Sequence, residues 1–243
     1  MPFVAESSVG INRKRKMREA SKTNLIRDPS FAQQYLQGEV LDIGAGTDLV
    51  CTWAKSFDVE DGDANHITKY FARGTFDTVH SSHSLEHMDN PVQAIEGWWE
   101  LVKPGGYLIV VVPDEDLYEQ GIWPSFFSNE HKSTFRLGSE NSWSPVSFDL
   151  QKLCKSLPKA QVIGVQQQSY GYSRDLMFPR GLQPKKIKQP LKTWISLIKR
   201  IPFFGPKLKD DFLKSLIKHG YPYDQTHKDA LAQIEIIVKK VEN

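Results

Sequence analysis

Residues 40–46 read VLDIGAG, and the chain continues TDLVCTWAKSFDVEDGD as far as Asp63. Val40, Leu41 and Ile43 make a short apolar run that stops at glycines, as a buried strand does when it ends in a tight turn. Gly44 and Gly46 let such a turn bend sharply and come close to a ligand. In an open α/β sheet, ligands sit beyond the carboxyl ends of the strands. A dinucleotide site calls for a third glycine, where helix packs on strand and pyrophosphate meets the helix N-terminus. Leu49 stands at that place, and Asp42 just before the turn would repel a pyrophosphate. A ligand presenting an amino group to Asp42 fits better. The following spacing is short: residues 47–57 must supply a helix and a strand, which limits the helix to one or two turns. Only four residues then separate Asp58 from Asp63, leaving no room for a second helix.

Strand and helix signals alternate outward from this stretch. FDTVHSS at 76–82, YLIVVVP at 107–113, QVIGVQQQS at 161–169 and AQIEIIVKKV at 232–241 read as further strands. NPVQAIEGWWELVKPGG at 90–106 carries Val92, Ile95, Trp98, Trp99 and Val102 at helical spacing and stops at Pro104-Gly105-Gly106. The alternation predicts an α/β fold with a doubly wound, mostly parallel sheet. Three parts follow. Residues 1–37 form a basic arm and helical lead-in, with Asp28-Pro29-Ser30 as a turn before FAQQYL. Residues 38–170 and 230–243 form the sheet domain, and residues 171–229 a basic helical insertion before the last strand. The insertion holds two amphipathic candidates, PLKTWISLIKR and PKLKDDFLKSLIKH, parted by PFFGP. Residues 114–147 lack periodicity and read as a functional loop or lid.

The 243 residues suit one α/β domain with an appendage. Two cysteines, Cys51 and Cys154, cannot build a disulfide framework, which points to a reducing cytosol. The N-terminus lacks a hydrophobic signal core, and the longest apolar run, seven residues at 107–113, is far short of a membrane span. Charge is uneven. Residues 185–218 hold ten Lys or Arg against Asp210 and Asp211, and NRKRKMR at 12–18 is a second basic run. Such runs are commonly solvated faces, with an anionic surface as the sharper reading.

VLDIGAG, Asp58, GDA at 62–64, FDTV at 76–79, SSHSLEH at 81–87 and LVKPGGYLIV at 101–110 together resemble the class I S-adenosylmethionine-dependent methyltransferases. The match covers roughly residues 38–115. Its continuation, VPDEDLYEQGIWPSFFSNEHKSTF, resembles a bacterial-type branch associated with surface-glycan or secondary-metabolite assembly. The resemblance implies a Rossmann-like, seven-stranded sheet with a shortened first helix, and S-adenosylmethionine as cofactor. It implies that Asp42, Gly44 and Gly46 hold the methionine end and that Asp58 accepts from the ribose hydroxyls, with Glu60 as the substitute. Asp63 would take the adenine amino group and Ala64 the ring, while Ser81, Ser82 and His83 would lie beside the sulfonium. A helix cap is the plainer reading of Asp63 and a turn acid that of Asp58.

Methyl transfer from a sulfonium is an in-line displacement in which orientation carries much of the rate. A hydroxyl acceptor also needs its proton taken. His131 is the favoured base and His83 its orienter or substitute, with His87 in a supporting position. No residue is assigned as a metal ligand, although Asp114, Glu115 and Asp116 with His131 offer a carboxylate and imidazole set. Tyr118, Trp123, Phe126, Phe127 and Trp143 either stack against an acceptor or form the loop's own core. The expected activity is O-methylation of a sugar hydroxyl in a surface polysaccharide or its precursor. N- or O-methylation of a small metabolite and a non-catalytic cofactor-binding role are the alternatives. Nucleic acid is not expected as a partner, because no binding module accompanies the charge. The insertion, with Trp194, Ile195, Leu197 and Ile198 beside its lysines, would rest on the inner membrane surface, on the sheet, or on a second subunit of a homodimer.

Overall fold

A strand whose residues are apolar on both faces needs cover on both sides. The computed structural model, which describes residues 19–138, 140–186, 206–227 and 230–242, shows how that cover is built. β1 (Val40–Ile43), β2 (Lys55–Phe57), β3 (Phe76–Ser82), β4 (Val102–Pro113), β7 (Ala160–Gln168) and β8 (Gln233–Lys240) form one sheet in the order β2-β1-β3-β4-β8-β7. β1 pairs parallel with β2 and β3, and β3 pairs parallel with β4. β8 runs antiparallel between β4 and β7. β5 (Thr134–Arg136) and β6 (Ser147–Asp149) make a separate parallel pair.

Alternation along the strands sorts the two faces. Leu41, Ile43, Leu108, Val110 and Val112 meet α3 (Pro91–Glu100) and α4 (Leu150–Lys155) through Ile95, Trp98, Trp99, Leu150 and Leu153. α3 begins where Asn90 accepts from the Val92 and Gln93 amides with Pro91 in the first turn, an arrangement that satisfies amides left over at a helix start. Both indoles are fully buried, and their N–H groups donate to Ala64 O and Pro158 O, each at 2.9 Å. Buried tryptophan needs such an acceptor. The Ala64 bond ties the segment after β2 to the core helix.

The opposite face is thinner. Val40, Ile109 and Ile237 pack against Phe31 of α2 (Phe31–Tyr35) and against Leu36, Val50 and Ala54. The helix expected after VLDIGAG is reduced further than the spacing predicted, since residues 44–54 hold only turns. α1 (Glu19–Asn24) buttresses that loop instead. Ser21 bonds Asp48 through both its amide and its hydroxyl, and Asn24 donates to Val50 O at 3.0 Å. The sheet has six strands among the described residues, one fewer than the resemblance implies. The segment from Asp58 to β3 contains only a 3-10 stretch, Ala64–Lys69, so no strand is added outside β2.

α5 (Pro206–Lys218) is the described α-helix of the insertion. Its Leu213 and Ile217 pack on Ile122, Phe126, Leu176 and Phe178, a satellite core under the loop after β4. That assigns its apolar side to this chain's own loop rather than to the sheet. PLKTWISLIKR at 190–200 and the basic run at 12–18 lie outside the described residues. No helix among the described residues is long and apolar enough to cross a membrane.

Candidate cofactor and acceptor site

Two adjoining cavities open at the carboxyl ends of β1, β2 and β3. The smaller, about 470 Å³, is lined by Glu19, Asp42, Gly44, Gly46, Asp48, Asp58, Ser82 and His83 among others. The larger, about 880 Å³, runs from Asp58, Asp63 and Ala64 past His83 and His87 to Glu130 and Lys132. Gly44, Asp58 and His83 belong to both. Of the expected cofactor residues, Ser81 alone lines neither. It is fully buried, and its hydroxyl has no partner among the described residues.

Gly44 and Gly46 turn the chain at φ +75° and +55°, a region that L residues adopt at a cost. A Cβ on Gly44 would stand 1.8 Å from Ser84 Oγ, which donates to Ile43 O. Gly44→Ala is therefore expected to lower stability by about 2–5 kcal/mol, combining left-handed strain of about 1–2 kcal/mol with overpacking of about 1–3 kcal/mol. Chemical denaturation reads this directly, and adding Ser84→Gly should recover only the overpacking part. A single variant as stable as the parent would exclude the close approach.

Asp42 is 1% exposed and already engaged: Val50 N donates to its carboxylate at 2.6 Å, and His80 Nδ1 lies at 2.7 Å. His80 Nε2 faces Arg27 Nη2 at 3.3 Å. Because guanidinium only donates, His80 accepts at Nε2 and donates from Nδ1 to Asp42. Arg27 also donates to Glu235 on β8. Asp42 thus fixes the loop after β1 from below while lining the cavity.

Asp58 follows β2 immediately and borders both cavities. Glu60, the substitute ribose acid, is exposed and lines neither. Asp63 lines the larger cavity, but its carboxylate caps the 3-10 stretch: it accepts from the Asn65 amide and side chain, and His66 Nδ1 lies 3.0 Å away. The Asn65 side chain first, then His66, hold its pKa down to about 2.

The histidines gather around one acid. His83 has φ +54°, unusual for a residue with a side chain, and its Nε2 lies 3.0 Å from Gln233 Oε1. Its Nδ1 is 3.6 Å from Glu86 Oε1. His87 and His131 reach the same oxygen with their Nε2 atoms at 3.8 and 3.9 Å. His131, the expected base, lines neither cavity and is almost completely buried, with Nδ1 at 2.6 Å from Glu119 Oε1. Burial pulls its pKa down, but the Glu119 hydrogen bond and the Glu86 and Glu119 charges outweigh that and leave it raised. The loop is stapled here by Lys132 N and Ser133 N, which donate to Glu86 O at 2.7 and 3.2 Å.

Asp114, Glu115 and Asp116 do not assemble with His131. Asp114 caps a π-type turn, Glu115–Glu119, and accepts from Gln167. Glu115 accepts from Thr134, Ser142 and Ser147, and Asp116 from Trp143 and Arg180. These bonds fold the loop after β4. Tyr118, Phe126 and Phe127 pack edge to face, and the Tyr118 ring lies 5.2 Å from His131. Sequence reasoning missed Glu19, Glu86 and Glu119 as members of this region.

The sequence pattern of a methyltransferase domain family matches residues 12–144, more than half of the chain. The chain belongs to that family of methyltransferase domains. Among solved structures, the methyltransferase is similar to a SAM-dependent methyltransferase from Archaeoglobus fulgidus, at 16% identity over 90% of this chain and 92% of that one, TM-score 0.47. It is also similar to the YcgJ protein of Bacillus subtilis, at 15% identity over 86% and 94%, TM-score 0.47. The [4+2]-cyclase SpnF aligns at 14% identity over 92% of this chain and 81% of its own, TM-score 0.45. No curated protein matches the sequence.

S-adenosylmethionine is the cofactor expected of this methyltransferase, and the residues present suit it. Four carboxylates, from Glu19, Asp42, Asp48 and Asp58, line the smaller cavity. That surrounding favours an ammonium and a sulfonium and disfavours a pyrophosphate. The Ser82 hydroxyl lines the same cavity and is buried without a partner among the described residues. Buried hydroxyls ordinarily have one.

Proposed function

We propose that the protein methylates a hydroxyl group, and specifically a sugar hydroxyl of a surface polysaccharide or its precursor. The observation that carries the hydroxyl is the convergence of His83, His87 and His131 on buried Glu86 beside the two cavities. A hydroxyl must lose a proton during transfer, whereas a neutral amine attacks with a lone pair it already has. Asn65, Glu130 and Lys132 on the rim of the larger cavity supply hydrogen-bonding groups of the kind a sugar needs.

In this reading the smaller cavity takes the methionine end of S-adenosylmethionine, with Gly44, Gly46 and Ser82 around it. Asp58, at the junction, accepts from the ribose, and Asp63 with Ala64 borders the adenine. His83, at the same junction, is the histidine that meets the methyl. The acceptor oxygen forms a bond to the methyl carbon, the carbon–sulfur electrons remain on sulfur, and the hydroxyl proton passes to the histidine cluster. The basic segment 185–218 would bring the enzyme to the cytoplasmic face of an anionic membrane, where a lipid-linked acceptor lies.

Calorimetry with S-adenosylmethionine tests the shared premise. One site is expected, and Asp58→Ala should weaken it by about 10-fold or more, since hydrogen bonds to a charged acceptor contribute about 1.5–3 kcal/mol. Absent binding, or binding indifferent to Asp58→Ala, would overturn the site. Incubating the enzyme with methyl-labelled cofactor and fractionated host glycans and metabolites identifies the acceptor. Label found only in small metabolites would defeat the glycan proposal.

A further inference from the structure

Glu86 presents a problem in charge. Its carboxylate is 1% exposed, and neither oxygen has a hydrogen-bond partner among the described residues. A buried carboxylate left this way is costly, because lost hydration is not replaced. Ring nitrogens of His83, His87 and His131 lie 3.6–3.9 Å from its Oε1, and the partners of the outer nitrogens of His87 and His131 orient those rings. His87 Nδ1 lies 3.1 Å from Glu130 O, a carbonyl that only accepts, so His87 donates there and leaves its Nε2 lone pair toward Glu86. His131 Nδ1 lies 2.6 Å from the Glu119 carboxylate, which also leaves Nε2 toward Glu86, and a proton carried there is one that a metal would displace. Two ring nitrogens and a carboxylate oxygen therefore face one another, within 4.8 Å in every pairing. A metal ion would engage all three groups at once.

We infer that Glu86, His87 and His131 bind a divalent transition-metal ion. Two imidazoles and one carboxylate suit Zn²⁺, Co²⁺, Mn²⁺ or Fe²⁺ better than Mg²⁺ or Ca²⁺, which prefer all-oxygen sets. Ligands about 2.1 Å from a tetrahedral ion stand about 3.4 Å apart. The observed 3.8 and 3.9 Å would close by about half an ångström on binding. Each histidine already has the outer partner that ligating imidazoles carry: a backbone carbonyl for His87 and a carboxylate for His131. The staple from Lys132 N and Ser133 N to Glu86 O holds the loop ligand against the strand-end ligands. Three protein ligands leave at least one position open, and His87 lines the larger cavity.

The site deepens the proposed function and rests on it only for its use. An ion there would polarise an acceptor hydroxyl beside the methyl, so that its proton passes more readily to His83 as the oxygen attacks. Binding itself needs no such reading. The full-length protein, stripped with a chelator, is titrated with Zn²⁺ and with Co²⁺ by calorimetry, and the Co²⁺ complex is followed by its visible absorption. One equivalent is expected to bind. Glu119→Gln should weaken binding by about 10–100-fold, as outer partners do, and Glu86→Gln or His87→Ala by more. His87 is partly exposed, so His87→Ala keeps the test available if Glu86→Gln misfolds, and metal-free thermal unfolding controls for folding. Failure of both ions to bind, or binding unchanged in Glu86→Gln and His87→Ala, overturns the inference. S-adenosylmethionine is titrated into the same samples. An ion that binds where the cofactor does not would leave this site standing and sink the cofactor reading alone.

Discussion

Arg27→Ala is expected to destabilise the protein by about 3–5 kcal/mol, the effect of removing one partner from a buried ion pair. The Arg27 and Glu235 side chains are 4% and 7% exposed, and the guanidinium donates to Glu235 through both Nε and Nη2. With alanine, Glu235 would keep only the Gln168 amide at 3.3 Å, and His80 Nε2 would lose its donor. Phe31 would lose the cation lying 4.2 Å from its ring centroid. The damage reaches the site, since His80 holds Asp42 and Asp42 holds Val50 in the loop after β1. Urea denaturation measures the loss. Arg27→Leu combined with Glu235→Leu should lie much closer to the parent, because an apolar pair of similar volume carries no stranded charge. A cost below about 1 kcal/mol for Arg27→Ala would mean that water replaces the guanidinium and the face is less closed than it is drawn.

This network also shows what the sequence could and could not tell. FDTVHSS was legible as β3 over its full length because its apolar and β-branched residues suit a covered strand. α3 was legible from its periodicity, although Val102, counted with the helix, opens β4. Gly44 and Asp58 could be placed at the cavities because each directly follows a strand, and strand ends in such sheets face the ligand. Arg27, His80 and Glu235 come from three distant segments, and no local pattern relates them. Glu19 lies in EASKTN, a polar stretch without periodicity, and reaches the cavity only because α1 braces a loop from which the usual helix is missing. Glu86 sits in the three-residue turn LEH, where an acid reads as a surface group. Its burial depends on a loop forty-odd residues later folding over it through the Lys132 and Ser133 amides. Asp63 was the reverse case. Its position was foreseen, and its carboxylate does the plainer work of capping.

The largest functional effect is expected from His83→Ala: at saturating cofactor, turnover should fall by about 10²–10⁴-fold, the contribution of a positioned acid–base group. The choice of His83 over His131 follows from access. His83 borders both cavities, where the methyl and the acceptor would meet, and its left-handed backbone is held by a bond from its own amide to Val111 O at 2.9 Å. Gln233 fixes the ring from the other side, and Gln233 is itself held by Thr23 and Gln168, so the imidazole has little freedom to swing away. His131 lies 3.9 Å from Glu86 and lines neither cavity, so it would act on an acceptor only through that carboxylate or an ion beside it. His131→Ala should therefore lower turnover while leaving cofactor affinity within a few-fold of the parent. His83→Ala should lower turnover and weaken the cofactor as well, because its ring lines the smaller cavity proposed for the cofactor. Turnover undiminished in His83→Ala would remove it from the chemistry. A loss confined to His131→Ala would return the base to the lid.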